Sequence, residues 1–77
     1  MQYGLIIKMN NGDIFFIKPK FSTDQHAVSF MENRRLEDII SVNNNISEDN
    51  TYFITRNNIS SFIVCSNKDF YQMLCGV

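Results

Sequence analysis

Two strand-prone segments joined by Asn11 and Gly12 constrain the fold of this 77-residue chain more than any other feature. The segments, residues 5–9 and 14–17, are rich in Ile and Phe, which favour β-strands. Asn and Gly both tolerate the positive φ that a type I′ turn requires at its two central residues. The sequence therefore predicts a β-hairpin with a two-residue turn at Asn11-Gly12, in which Ile7 lies opposite Phe16.

The predicted hairpin carries apolar side chains on both faces. In this register Ile6, Phe15 and Ile17 share the second face with several polar residues. A sheet with one face in water would alternate more cleanly between apolar and polar residues. Two interpretations are open. Either the domain covers both faces itself, for which a C-terminal helix is available, or these three residues form a contact with a target or the interface of a two-fold homodimer. We predict a two-fold homodimer, and cover by the C-terminal helix is the competing account.

The rest of the chain predicts one further hairpin, a last strand and two helices. Ser22 and Gln25 have the spacing of a helix capping box, and an apolar stripe follows at Ala27, Phe30 and Met31. Residues 36–42 fit a helical turn or a strand at 39–42, and the β-prone composition favours the strand. Residues 43–50 read as a polar loop, residues 51–55 as a strand and residues 56–58 as a turn.

The last strand, residues 59–65, contains an apolar run without alternation, which is typical of a central strand buried on both faces. Phe62 and Val64 are therefore expected among the most buried residues, together with Ile7, Phe16 and Phe30. Ser66 can cap a C-terminal helix lined by Phe70, Met73 and Leu74. The order ββαβββα predicts a single α+β domain over residues 1–77. Its mostly antiparallel sheet has about five strands, with one main helix and a short C-terminal helix.

Composition and spacing argue against catalysis and against bound metals or cofactors. The three glycines lie far apart, at positions 4, 12 and 76, so no glycine-rich phosphate loop is present. His26, Cys65 and Cys75 have neither the spacing of a zinc site nor an orienting third group for a nucleophile. The net charge of −1 with scattered Lys and Arg argues against nucleic-acid binding. We expect a protein that is not an enzyme and that uses no metal or cofactor.

The same reasoning predicts a cytoplasmic protein. No apolar run approaches the roughly 20 residues needed to span a bilayer. The N-terminus lacks the basic and apolar regions of a secretion signal. Two cysteines ten residues apart make no disulfide framework, so both are expected to be reduced.

Arg34 and Arg35 form the densest positive charge, and Arg56 is a candidate neighbour. One interpretation is favourable placement at the C-terminus of the main helix, where the helix dipole is negative. The other is a small anion site or a contact with an acidic partner.

The layout resembles small proteins of phages and mobile elements of low-G+C Gram-positive bacteria. The residues that carry the resemblance are the Asn11-Gly12 hairpin, the helix over residues 22–31 and the closing segment 57–62. A composition of ten Asn and ten Ile against three Leu fits codons rich in A and T. The resemblance implies a compact module that binds or inhibits a host protein, including a protein of a defence system. A nucleic-acid- or nucleotide-binding module and a purely structural homo-oligomer are the alternatives.

Overall fold

A computed structural model describes residues 1–43 and 50–75, without the side chains of residues 74 and 75. The elements follow in the predicted ββαβββα order and confirm the α+β class. They are β1 (Tyr3–Met9), β2 (Ile14–Phe21), α1 (Asp24–Glu32), β3 (Ile39–Val42), β4 (Tyr52–Thr55), a 3₁₀ turn (Arg56–Asn58), β5 (Ile59–Ser66) and α2 (Asn67–Cys75). Most of the polar loop predicted for residues 43–50 lies outside the described residues. No helix among the described residues is long and apolar enough to span a membrane.

The first hairpin forms, but its predicted turn and register are wrong. Ile7 lies opposite Phe15 instead of Phe16. The backbone N–H of Met9 donates to the carbonyl of Asp13 at 2.8 Å, which leaves a three-residue loop between them. Among the described residues only Gly12 has a positive φ, of 95°. A type I′ turn needs positive φ at two residues, whereas a type I turn followed by a bulge needs it only at the glycine.

The longer loop exchanges the faces of β2 relative to β1. Because side chains alternate along a strand, a shift of one residue moves each side chain of β2 to the other face. Phe15 and Ile17 therefore join Leu5 and Ile7 on the inner face of the sheet, which packs against α1. Phe16 turns to the outer face, where it packs with Phe70 of α2.

β1 is the central strand of a three-stranded antiparallel sheet in the order β2-β1-β5. The prediction that the last strand is central is wrong, because β5 pairs with β1 along one edge only. Ile7 and Phe16 are buried as expected, whereas Phe62 and Val64 are only partly buried. Phe30, also predicted to be deeply buried, is likewise only partly buried.

β3 and β4 form a second, two-stranded antiparallel sheet, which lies beside β2. Residues 39–42 are a strand, as the composition favoured. The link to β2 is a pair of hydrogen bonds between the backbones of Phe16 and Asn43, at 2.7 and 2.8 Å. Ile40, Val42 and Ile54 point inward and complete the core with Ala27 and Met31 of α1.

The two helices pack on opposite sides of the three-stranded sheet. The first begins one residue later than the capping box predicted, because Thr23 Oγ1 accepts the backbone N–H of His26 at 3.1 Å. Ser22 instead contacts the His26 ring. The second is capped by Ser66, whose Oγ accepts the N–H of Asp69 at 3.4 Å. Phe70 anchors it on the outer face with no exposed surface.

Gly12→Val is expected to lower the free energy of unfolding by roughly 1 kcal/mol or more, because β-branched residues resist positive φ. No atom lies within 4 Å of a Cβ built on Gly12, so the cost comes from backbone strain alone. Urea unfolding followed by circular dichroism measures it. Gly12→Asn is the matched control and should cost less, since Asn tolerates positive φ. Equal losses in both variants would contradict the assigned turn.

Candidate protein-binding site

The three residues predicted to share an interface do not lie together. Ile17 is 4% exposed and belongs to the main core. Phe15 faces the same core, and its ring centroid lies 5.8 Å from that of Tyr52. Ile6 lies on the opposite face, packed against the cluster of Phe16, Cys65 and Phe70. The one-residue change of register separates these three side chains. α2 covers the face that carries Ile6, which is the predicted alternative to a partner.

α2 covers only part of the outer face of the sheet. It packs on β1 and β5, whereas β3 and β4 form the second sheet on the far side of β2. The outward positions of that ladder are Ile39 and Ser41 on β3 and Phe53 and Thr55 on β4, which we call the bare face. Ile39 is 65% exposed and Phe53 is 70% exposed.

The apolar residues of the bare face are close neighbours. Phe53 pairs with Ser41 and Ile39 pairs with Thr55, so Ile39 and Phe53 are diagonal neighbours across the ladder. Diagonal neighbours on one face are within reach of an aromatic side chain. Leu36 is also well exposed and precedes β3. Its carbonyl accepts the N–H of Asn57 at 3.0 Å. Exposed apolar residues grouped in this way mark interaction sites more often than isolated ones do.

Basic side chains border the bare face on the β2 side. A groove of about 250 Å³ runs between β2 and β3, and its lining includes Lys18, Lys20 and Ser41. The bare face is therefore an apolar centre beside a groove whose lining includes two lysines.

The structure brings two of the three predicted arginines to one end of the ladder. The backbone N–H of Arg56 donates to the carbonyl of Asp38 at 2.9 Å, and Arg35 donates its own N–H to the Asp38 carboxylate at 2.9 Å. Arg35 also lies 3.6 Å from Glu37, with both side chains exposed. Glu37 offsets the charge of Arg35, whereas the Nε of Arg56 is buried with no hydrogen-bond partner among the described residues, so the two guanidinium groups differ in their surroundings.

Arg34 is separate from the other two. Its guanidinium lies 4.2 Å from the centroid of the Phe30 ring, and its Nε donates to the Phe30 carbonyl at 3.2 Å. Lys20 lies 5.5 Å from the same centroid. Both cations occupy a partly buried ring, so Phe30 is not a free platform on which a nucleic-acid base could stack.

Two chemically notable side chains lie outside this face. Ser22 Oγ and His26 Nδ1 are 2.9 Å apart at the exposed start of α1. Cys65 lies under α2, with its Sγ 3.5 Å from the Sδ of Met73. Among the described residues no three His, Cys, Asp or Glu side chains are grouped as a metal site would require.

The Cys65 thiol is expected to react slowly with disulfide reagents in the folded protein. Burial, and secondly the negative charge of Asp69, raise its pKa above the ordinary value of 9.0. At a given pH the folded protein thus holds less of the reactive thiolate than the unfolded chain. A Cys75→Ser background isolates this thiol, and denaturant should restore the rate of a free cysteine. Equal rates in folded and unfolded protein would contradict the buried position.

The alternation of side chains in residues 39–42 and 52–55 is the sequence signal for the bare face. If residues 39–42 pair with residues 52–55 as a hairpin, alternation places Ile40 and Val42 on one side and Ile39 on the other. The same alternation places Phe53 with Ile39.

Comparison with known proteins finds no match: no protein family, no curated protein and no solved structure matches the chain.

Proposed function

We propose that the protein is a non-enzymatic module that binds another protein through the bare face. The observation that carries the proposal is the diagonal position of Phe53 and Ile39, two largely exposed apolar side chains on adjacent strands. The backbones that carry them are paired in a ladder, so less conformational entropy is lost on binding than for an unpaired segment. Aromatic anchors of this kind supply a large share of the free energy of binding in protein interfaces.

The partner that fits this face has an apolar pocket flanked by carboxylates. The pocket would take Phe53, and the carboxylates would lie near the groove lined by Lys18 and Lys20. Complementary charges of this kind speed association and fix orientation. We place the partner among the cytoplasmic proteins of a bacterial host, and the module among phage or mobile-element products that inhibit such proteins. The Asn- and Ile-rich composition and the layout of the chain support that assignment.

The test compares variants in the capture of host proteins. Phe53→Asp replaces the anchor with a charge, and Ile14→Asp is the matched control, since Ile14 is a strand residue 57% exposed outside the bare face. We expect a host protein retained by the unmodified protein and by Ile14→Asp but lost with Phe53→Asp. The purified pair should then dissociate faster when Phe53 is changed.

The salt dependence of the purified complex tests the chemistry of the partner. Raising the ionic strength should slow association, because screening weakens attraction between the basic groove and carboxylates. A host protein held equally by all three forms would contradict the proposal. Binding of single-stranded nucleic acid that survives Phe53→Asp would favour the nucleic-acid-binding alternative instead.

A further inference from the structure

The free edge of β5 is the second unpartnered surface of the molecule. The strand pairs with β1 along one edge, and no described strand pairs with its other edge. Its eight residues, Ile59–Ser66, include no charged residue and no proline. An edge strand exposes unpaired N–H and C=O groups, and native proteins usually protect such an edge with charges, proline or a short length.

The other strands away from the sheet centre carry such protection. β2 includes Lys18, Pro19 and Lys20, and part of its outer edge is bonded to Asn43. β4 is only four residues long. In β5 the one irregularity is a shift of register opposite Lys8 and Met9, near the start of the strand. Residues 61–66 therefore form a regular edge that is open to pairing.

We infer that this edge pairs with the same edge of a second copy, which gives a two-fold antiparallel dimer centred on Ile63. A two-fold axis perpendicular to the sheet keeps the faces of both copies aligned, so paired positions must point to the same side. Centring on Ile63 satisfies this condition. It sets Ile63 opposite the second copy's Ile63, and Phe62 opposite the second copy's Val64.

The exposure of Ile63 fits this arrangement. Ile63 is 50% exposed, although its neighbour on the same face, Cys65, is buried under α2. Beside it, a groove of about 420 Å³ lies between β5 and α2. Its lining includes Met73, which is 42% exposed, and the polar residues Asp69 and Gln72. Pairing at the edge would bring the second copy's Ile63 next to this groove. Ile63 would then face the second copy's Ile63, with no charged residue on either edge strand.

Charge-swapped variants at Ile63 test the pairing. The unmodified protein should have twice the chain mass in light scattering at high micromolar concentration. Ile63→Lys and Ile63→Asp should each be monomeric, because like charges would face each other across the axis. An equimolar mixture of the two should recover the dimer mass. Phe53→Lys, which charges the bare face instead, should remain dimeric.

Circular dichroism spectra that match the spectrum of the unmodified protein show that the variants are folded. Recovery of the dimer mass in the mixture shows the same. A monomeric unmodified protein would overturn the inference. So would dimers that persist in both Ile63 variants, or monomers in the mixture, since only self-pairing at Ile63 predicts recovery. Because the dimer does not use the bare face, loss of dimerisation and loss of host-protein binding are separate outcomes.

Discussion

Phe70→Ala is expected to lower the free energy of unfolding by about 3–5 kcal/mol and to detach α2 from the sheet. Phe70 has no exposed surface, and its ring meets the edge of Phe16 with the centroids 5.6 Å apart. The ring lies over Gly4, where a Cβ would come within 2.9 Å of the Phe70 ring. The described side chains that follow it in α2, those of residues 71–73, are all exposed, so Phe70 is the buried side chain in the described part of the helix.

Urea unfolding and hydrogen exchange together measure this effect. Tyr71→Ala is the matched control, because Tyr71 is the adjacent aromatic residue and is 39% exposed. Its edge contact with the Phe70 ring, at 5.2 Å between centroids, should be worth only about 0.5–1.5 kcal/mol. In Phe70→Ala the amides of α2 should lose protection before those of β1. Losses of similar size in the two variants would contradict the anchoring role of Phe70.

Gly4→Ala tests the same contact from the side of the sheet. The added Cβ would lie 2.8 Å from the carbonyl oxygen of Ile17, which is backbone and cannot move aside as a side chain can. Overpacking of this kind costs about 1–3 kcal/mol. If Gly4→Ala changed neither the free energy of unfolding nor the hydrogen-exchange protection of the α2 amides, the result would contradict the close packing of Phe70 on β1.

The first hairpin shows how far local sequence determines a strand pair. Alternation and the Asn11-Gly12 pair were sufficient to place both strands, but they fit a two-residue loop and a three-residue loop equally well. The decision rests on one backbone angle at Asn11, whose side chain accepts the N–H of Asp13 at 3.0 Å and supports the longer loop. Because strand periodicity is two, this single residue reversed the faces assigned to Phe15 and Phe16.

The strand order could not be read from the apolar run in β5. A run without alternation indicates two covered faces, which a central strand has. In this fold an edge strand also has helices on both sides, since α1 and α2 each pack on β5. Periodicity reports which faces are covered, whereas strand order depends on pairings between distant segments. The bare face was missed for the same reason, because pairing of Ile39 with Thr55 spans the polar loop.

Ile7→Ala is expected to cost about 2–5 kcal/mol, which for a domain of this size is a large part of the total stability. Ile7 has no exposed surface and lies at the middle of the central strand. On its inner face it is flanked by Phe15 on β2 and by Phe62 on β5. Shortening it would leave a cavity between two aromatic side chains on neighbouring strands, which can close only if the sheet itself distorts.

Phe62→Ala provides the comparison that separates central from edge position. Phe62→Ala removes more atoms than Ile7→Ala does, but Phe62 lies on β5 and is only partly buried. Phe62→Ala should lower the free energy of unfolding by less, about 1–2 kcal/mol, because part of the Phe62 side chain is exposed to water in the folded protein. Chemical unfolding of both variants under identical conditions measures the difference. A larger loss for Phe62→Ala than for Ile7→Ala would contradict the burial assigned to the two residues, because the cost of a cavity follows the depth of burial and not the size of the side chain alone.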